Sequence, residues 1–170
     1  MNAEDLHARQ APLKEKYKAD HSAAFVTLRA IGNLDADNIA CKVETGRALV
    51  EAGLHPAAGG DGGQACSGAM LLEALAACAG VTLRAITTAI GFRLTSGSIV
   101  VEGDLDFRGA LGVAKDAPVG FRDIRLAFDL VSDEPQERVD ALAKLTERYC
   151  VVLQTLARPP RLDVSVKVHG

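Results

Sequence analysis

The run SGAMLLEALAACAGVTLRAITTAIG, residues 67–91, limits the fold more than any other part of the chain. Its only charged side chains are Glu73 and Arg84, eleven positions apart. Eleven residues make about three helical turns, so both charges share one narrow face and the remaining faces are apolar or small. A helix of this kind is buried on most sides, and the rest of the chain has to cover it. The ten uncharged residues 74–83 between the charges are about half of the ~20 needed to cross a bilayer. The expectation is a core helix and no membrane span, with Ser67 as N-cap and Gly91 as the residue just past the end.

The cover must come from short strands. AFVTLRAI from Ala24, then IACKVET, then RALVEAGL are separated by Asn, Asp and Gly and read as a three-stranded meander. HPAAGGDGGQACSG, residues 55–68, is Gly-rich and reads as a mobile loop. After the long helix, SIVVEGDLDF reads as a strand, with a Gly/Lys/Asp/Pro loop following at 108–120. FRDIRLAFDLVS alternates, with Ile124, Leu126, Phe128 and Leu130 inward and Asp123, Arg125 and Asp129 outward. Asp133 is the expected cap of a second helix, with Pro135 and Gln136 in its first turn. Val139, Leu142, Ala143, Thr146, Tyr149, Cys150 and Leu153 form its apolar stripe, and Arg158-Pro-Pro ends it. LDVSVKVHG then reads as a closing strand with Leu162, Val164, Val166 and Val168 inward. The order β-β-β, long α, β-β, α, β predicts an α+β fold with antiparallel hairpins and interposed helices. The polar residues 1–20 read as an N-terminal appendage, interrupted or started by Pro12, and residues 21–170 as one domain.

Apolar residues are 48% of the 170 and charged residues 24%, a globular balance. With a formal charge of −3 and no Lys/Arg cluster, neither nucleic acid nor an anionic membrane is an expected partner. There is no GxxxxGK[ST] and no GxGxxG, so no nucleotide cofactor is expected. MNAEDLHARQ lacks the apolar stretch of a secretory signal, and the expected location is the cytoplasm.

The four cysteines stand at 41, 66, 78 and 150, without CxxC pairs or zinc-type spacing, so no metal is expected. Cys78 and Cys150 each lie on the apolar stripe of a separate helix. Free cysteine packs well as a small hydrophobe, so position alone is consistent with core packing as well as with chemistry. Cys66 is twelve residues before Cys78, roughly 18 Å along a helix, and cannot pair with it while that helix is intact. Cys41 falls in a strand and reads as packing. A reactive thiol needs a cation nearby. The candidates are Arg29, Arg47 and His55, the last on the flexible loop before the core helix.

LLEALAACAGVTLRA around Cys78 and ERYCVVLQTL around Cys150 together resemble the two signature segments of the OsmC/Ohr family, the osmotically inducible and organic-hydroperoxide-resistance proteins. The order of elements between residues 24 and 168 is similar as well. The resemblance implies an intertwined homodimer whose antiparallel sheets enclose two central helices. It also implies a thiol peroxidase acting on organic hydroperoxides. Cys78 would match the peroxidatic thiol, Cys150 the resolving thiol that closes a disulfide with it, and a small dithiol of the lipoyl type would be the reductant. Family peroxidases carry a carboxylate about ten residues before the first cysteine and an arginine in an early loop. This chain has Gly68 and Ala69 at the first place and His55 in the loop before the helix. A second reading follows from those departures: an OsmC-like small-molecule binding protein with weak or no peroxidase activity.

Overall fold

The computed structural model describes the backbone of residues 3–34, 41–43 and 52–168, and the side chains of residues 8–27 and 52–168. The long apolar run forms helix α2, Ser67–Ala89. Gly91 follows with φ +61°, a left-handed conformation that lets the chain turn away at little steric cost. The N-cap is Cys66 rather than Ser67, and its side chain makes no capping hydrogen bond. The parallel pairing of Ala52–Gly53 with Ala65–Cys66 carries the extended backbone one residue further than composition suggests.

A four-stranded antiparallel sheet covers α2, in the order β2-β1-β5-β6. Its strands are β1 Phe25–Leu34, β2 Cys41–Val43, β5 Ser96–Asp106 and β6 Phe121–Val131. β1 pairs with β5 from Phe25↔Asp106 to Asn33↔Ser98, and β5 pairs with β6 with a bulge at Asp104/Leu105. Alternation in β5 turns Ile99 and Val101 onto α2, where they form one core with Leu72, Leu75, Ala76, Ala79 and Cys150. Removing such side chains from water is the main drive for folding, about 25 cal/mol per Å². Gly103 continues the inner row where α2 comes closest to the sheet: a Cβ there would stand 2.5 Å from Phe121 and 3.2 Å from Leu72.

The expected meander is present in part. β2 pairs with β1, but the third strand is β3, Ala52–Gly53, and it pairs with β4, Ala65–Cys66, in a separate two-stranded sheet. Residues 47–51 of RALVEAGL, including Arg47, lie outside the described residues. The Gly-rich segment is built rather than loose. Pro56–Ala58 form a 3-10 turn whose first amide is capped by His55. The N-terminal segment, read as an appendage interrupted or started by Pro12, forms helix α1, Ala3–Ala19, which runs through the proline. α1 docks by Tyr17 into a small second core with Ala24, Ala58, Phe107 and Leu111.

Asp106 begins α3, the single turn Phe107–Ala110, by accepting the amide N–H of Arg108. The second helix is divided: α4 is Gln136–Tyr149 and α5 is Val151–Ala157. Pro135, not Asp133, occupies the N-cap of α4. Leu142, Thr146 and Cys150 of the expected stripe are buried, whereas Ala143 and Tyr149 are exposed.

The closing strand is a correction. Residues 159–168 have no regular structure, and Leu162, Val164, Val166 and Val168 are 81–88% exposed. The alternation is present in the sequence, but no described strand of the same chain pairs with it.

Candidate active site

Cys78 is brought to the site by the buried side of α2, and Cys150 by the break between α4 and α5. The break is a local device. Cys150 adopts φ −71°, ψ 105°, which is extended backbone, so it ends one helix and starts the next. The ladder survives on both sides. Cys150 N–H donates to Thr146 O at 2.9 Å, and Gln154 N–H donates to Cys150 O at 2.9 Å. The Glu147 carbonyl, in the last turn of α4, accepts from Gln154 Nε2 at 2.8 Å. The bend turns the Cys150 side chain into the core, fully buried among Leu72, Leu75 and Ala79, with Cys78 packed against the same cluster.

The two thiols are free and pack in the same apolar cluster, near enough for Cys78 to raise the pKa of Cys150. The Cys150 thiol is raised to about 11, chiefly by burial, with the neighbouring Cys78 adding to the rise. The amide N–H groups of Leu153 and Val152 at the start of α5 pull the other way, and burial prevails. Cys150 therefore keeps its proton at neutral pH.

The other candidates lie elsewhere. Cys66 is at the opposite end of about 18 Å of α2. His55 shares a cavity with Cys66 and stacks on Phe107, with ring centroids 4.9 Å apart. Its Nδ1 accepts the Ala57 N–H at 3.0 Å, and burial lowers its pKa. In this chain His55 thus stands apart from the two thiols. Arg29 lies on β1 opposite Glu102 in backbone register, with its side chain outside the described residues. Among the described residues no group of three or more His, Cys, Asp or Glu is placed to hold a metal.

Two features of the site escape the sequence pattern. One is the helix break that aims Cys150, which an uninterrupted apolar stripe conceals. The other is the bracing of the His55 turn by α1. Tyr17 Oη donates to Ala57 O at 2.8 Å and Gln10 Nε2 donates to Ala58 O at 3.2 Å. Tyr17, an aromatic in a polar segment, is the only hint of it in the sequence.

Residues 60–165, more than half of the chain and including both thiols, match the family profile described as OsmC-like protein. The chain belongs to the OsmC-like family. Solved structures agree on the fold. An OsmC-like hydroperoxide resistance protein from Jannaschia sp. superposes with a TM-score of 0.62 at 17% identity, covering 85% of this chain and 95% of that one. An OsmC-like protein from Mycoplasma pneumoniae gives 0.55 at 17% identity, covering 79% and 86%. No curated protein matches the sequence. The α+β architecture of this OsmC-like chain, an antiparallel sheet with helices packed on it, is the one its family resemblance implies.

Proposed function

We propose that the chain is a thiol-dependent peroxidase that reduces organic hydroperoxides, with Cys78 as nucleophile and Cys150 as resolving thiol. The observation that carries this reading is the packing of two free thiols, brought by separate helices, into one apolar core. Two thiols in contact can close a disulfide with little movement of the backbone.

A Cys78 thiolate attacks the distal oxygen of ROOH. The O–O bond breaks, Cys78 becomes a sulfenic acid, and the alkoxide leaves as ROH after taking a proton. Cys150 then attacks the Cys78 sulfur. An S–S bond forms, the S–O bond breaks, and the hydroxyl departs with the Cys150 proton as water. A small dithiol, of the lipoyl class, reduces the disulfide by thiol–disulfide exchange and is itself oxidised. Cys150 must release its proton in that attack, and the departing hydroxyl takes it up. The Jannaschia protein's name, a hydroperoxide resistance protein, supports the substrate class.

The proposal includes a homodimer in a reducing cytoplasm, where the thiols stay free. Two observations support the dimer. The tail 159–168 carries an exposed alternating apolar row, and β6 is an edge strand whose inner row of Ile124, Leu126, Phe128 and Leu130 is only half-buried. A tail added to the sheet of a second copy would cover both.

One observation favours a second reading, a small-molecule binding protein with weak peroxidase activity: the first turn of α2 carries no acidic residue. Peroxide-dependent thiol loss with cumene hydroperoxide separates the two. The peroxidase reading predicts fast consumption of peroxide and of two thiols per chain, with little consumption by Cys78→Ser. Equal rates for Cys78→Ser and the parent would refute it.

A further inference from the structure

A cavity of about 410 Å³ lies at the N-terminal end of α2, lined by Cys66, Ser67, Gly68 and Leu71 of that end. Leu71, Leu105, Phe107 and Phe121 form its apolar walls, and His55 and Cys66 are among its few polar groups. Among the described residues no charged side chain lines it. Three of the exposed large apolar side chains of the chain, Leu54, Leu71 and Val119, belong to this one lining. Volume and lining match those of small-molecule sites, which are mostly apolar with a few placed polar groups.

The lining also selects the ligand. A charged ligand would lose its hydration without meeting a counter-charge among the described lining residues, which is costly in an apolar setting. The hydrogen-bonding group of His55 is defined as well. Its Nδ1 already accepts the Ala57 N–H, so the neutral ring carries its proton on Nε2 and offers a donor rather than an acceptor. The ring is held in place by its stack on Phe107, and the turn behind it is tied to α1 by Tyr17 and Gln10. A wall fixed before binding reduces the ordering cost of binding.

We propose that this cavity is a binding site for a small, neutral, largely apolar molecule carrying one hydrogen-bond acceptor, such as an aryl ketone. His55 Nε2–H meets the acceptor, and Leu71, Phe107 and Phe121 meet the apolar body. The site stands independently of the thiol chemistry, because neither Cys78 nor Cys150 lines it.

The test is a fluorescence titration of the reduced full chain with acetyl-dimethylaminonaphthalene, a neutral naphthyl ketone. The expected result is saturable, blue-shifted binding at one probe per chain, and slower alkylation of Cys66 by iodoacetamide when the probe is bound. A naphthyl carboxylate of the same size binds at least about tenfold more weakly, a comparison that needs no variant. Gly120 lines the cavity, and a Cβ there meets no atom within 4 Å, so Gly120→Leu places its side chain in open space. It lowers affinity by about tenfold or more. His55→Asp keeps an acceptor for Ala57 N–H, carries no donor, and weakens the ketone by a similar factor. Absence of saturable binding to the parent, equal affinity for the carboxylate, or unchanged affinity in Gly120→Leu would overturn the proposal. So would loss of the dimer in Gly120→Leu by light scattering with probe binding intact, which would assign the cavity to a second copy of the chain.

Discussion

Replacing Cys150 with alanine tests the electrostatics of the thiol pair through stability alone. The Cys150 thiol is raised from an ordinary value of 9.0 to about 11 in the folded chain. The sign follows from proton counts. Between those two values the unfolded chain has released the Cys150 proton while the folded chain retains it, so the folded state binds more protons. Stability from this group is complete below about pH 9 and is lost as pH rises toward 11. A tenfold difference in proton affinity between the folded and unfolded chain corresponds to about 1.4 kcal/mol, so the loss across the window is on the order of 2–3 kcal/mol. Against this, Cys150→Ala removes a buried sulfur and leaves a small void, at a cost of about 1–2 kcal/mol that does not depend on pH. The assay is urea unfolding of parent and variant under a reducing phosphine, at several pH values from about 7.5 to 11. At neutral pH the parent is the more stable. Its advantage shrinks with rising pH and vanishes or reverses near the top of the window. Other groups that titrate there are common to both proteins and cancel in the difference. A stability difference that stays constant across the window would refute this reasoning, because it would mean that burial does not hold the proton on Cys150.

Other positions give independent checks. Arg125 and Thr27 hydrogen-bond the Asp104 carboxylate and hold its pKa down to about 2. Its contribution is therefore present above the usual carboxylate range and lost as pH falls toward 2, and Asp104→Asn flattens that acid limb in thermal melts. Tyr17→Phe removes the hydrogen bond to the Ala57 carbonyl and costs about 1 kcal/mol by urea denaturation. Because it loosens the turn that carries His55, it also speeds hydrogen exchange at Ala57–Gly60. Gly103→Ala drives a methyl against Phe121 and costs about 1–3 kcal/mol through overpacking, with peroxide chemistry retained if the protein folds.

The parts of the fold that are legible in the sequence are those whose period is set by burial within one chain. α2 is plain because its apolar faces demand cover, and β5 and β6 because alternating rows face α2 on one side and water on the other. The Cys78–Cys150 pairing is carried only by the family resemblance, since no pattern measures distance across 72 positions of chain. The break at Cys150 leaves no trace, because one extended residue between two helices preserves the apolar stripe. Nor does the short parallel β3–β4 sheet, whose two pairs are set by tertiary packing rather than propensity. The tail shows the opposite case: its alternation is clear, yet residues 159–168 pair with no described strand of their own chain. The Gly-rich loop leads directly into the core helix, which suggests His55 as a partner for Cys78, but the helix length separates them.

Whether Cys78 and Cys150 act as one redox pair is tested most directly by peptide mapping. The full chain is treated with one equivalent of cumene hydroperoxide, free thiols are blocked before digestion, and the peptides are read by mass spectrometry. A redox pair predicts a Cys78–Cys150 disulfide as the dominant product, a persistent Cys78 sulfenic acid in Cys150→Ala, and Cys66 recovered as a blocked thiol. Both thiols recovered blocked after peroxide has been consumed, or oxidation confined to Cys66, would contradict it.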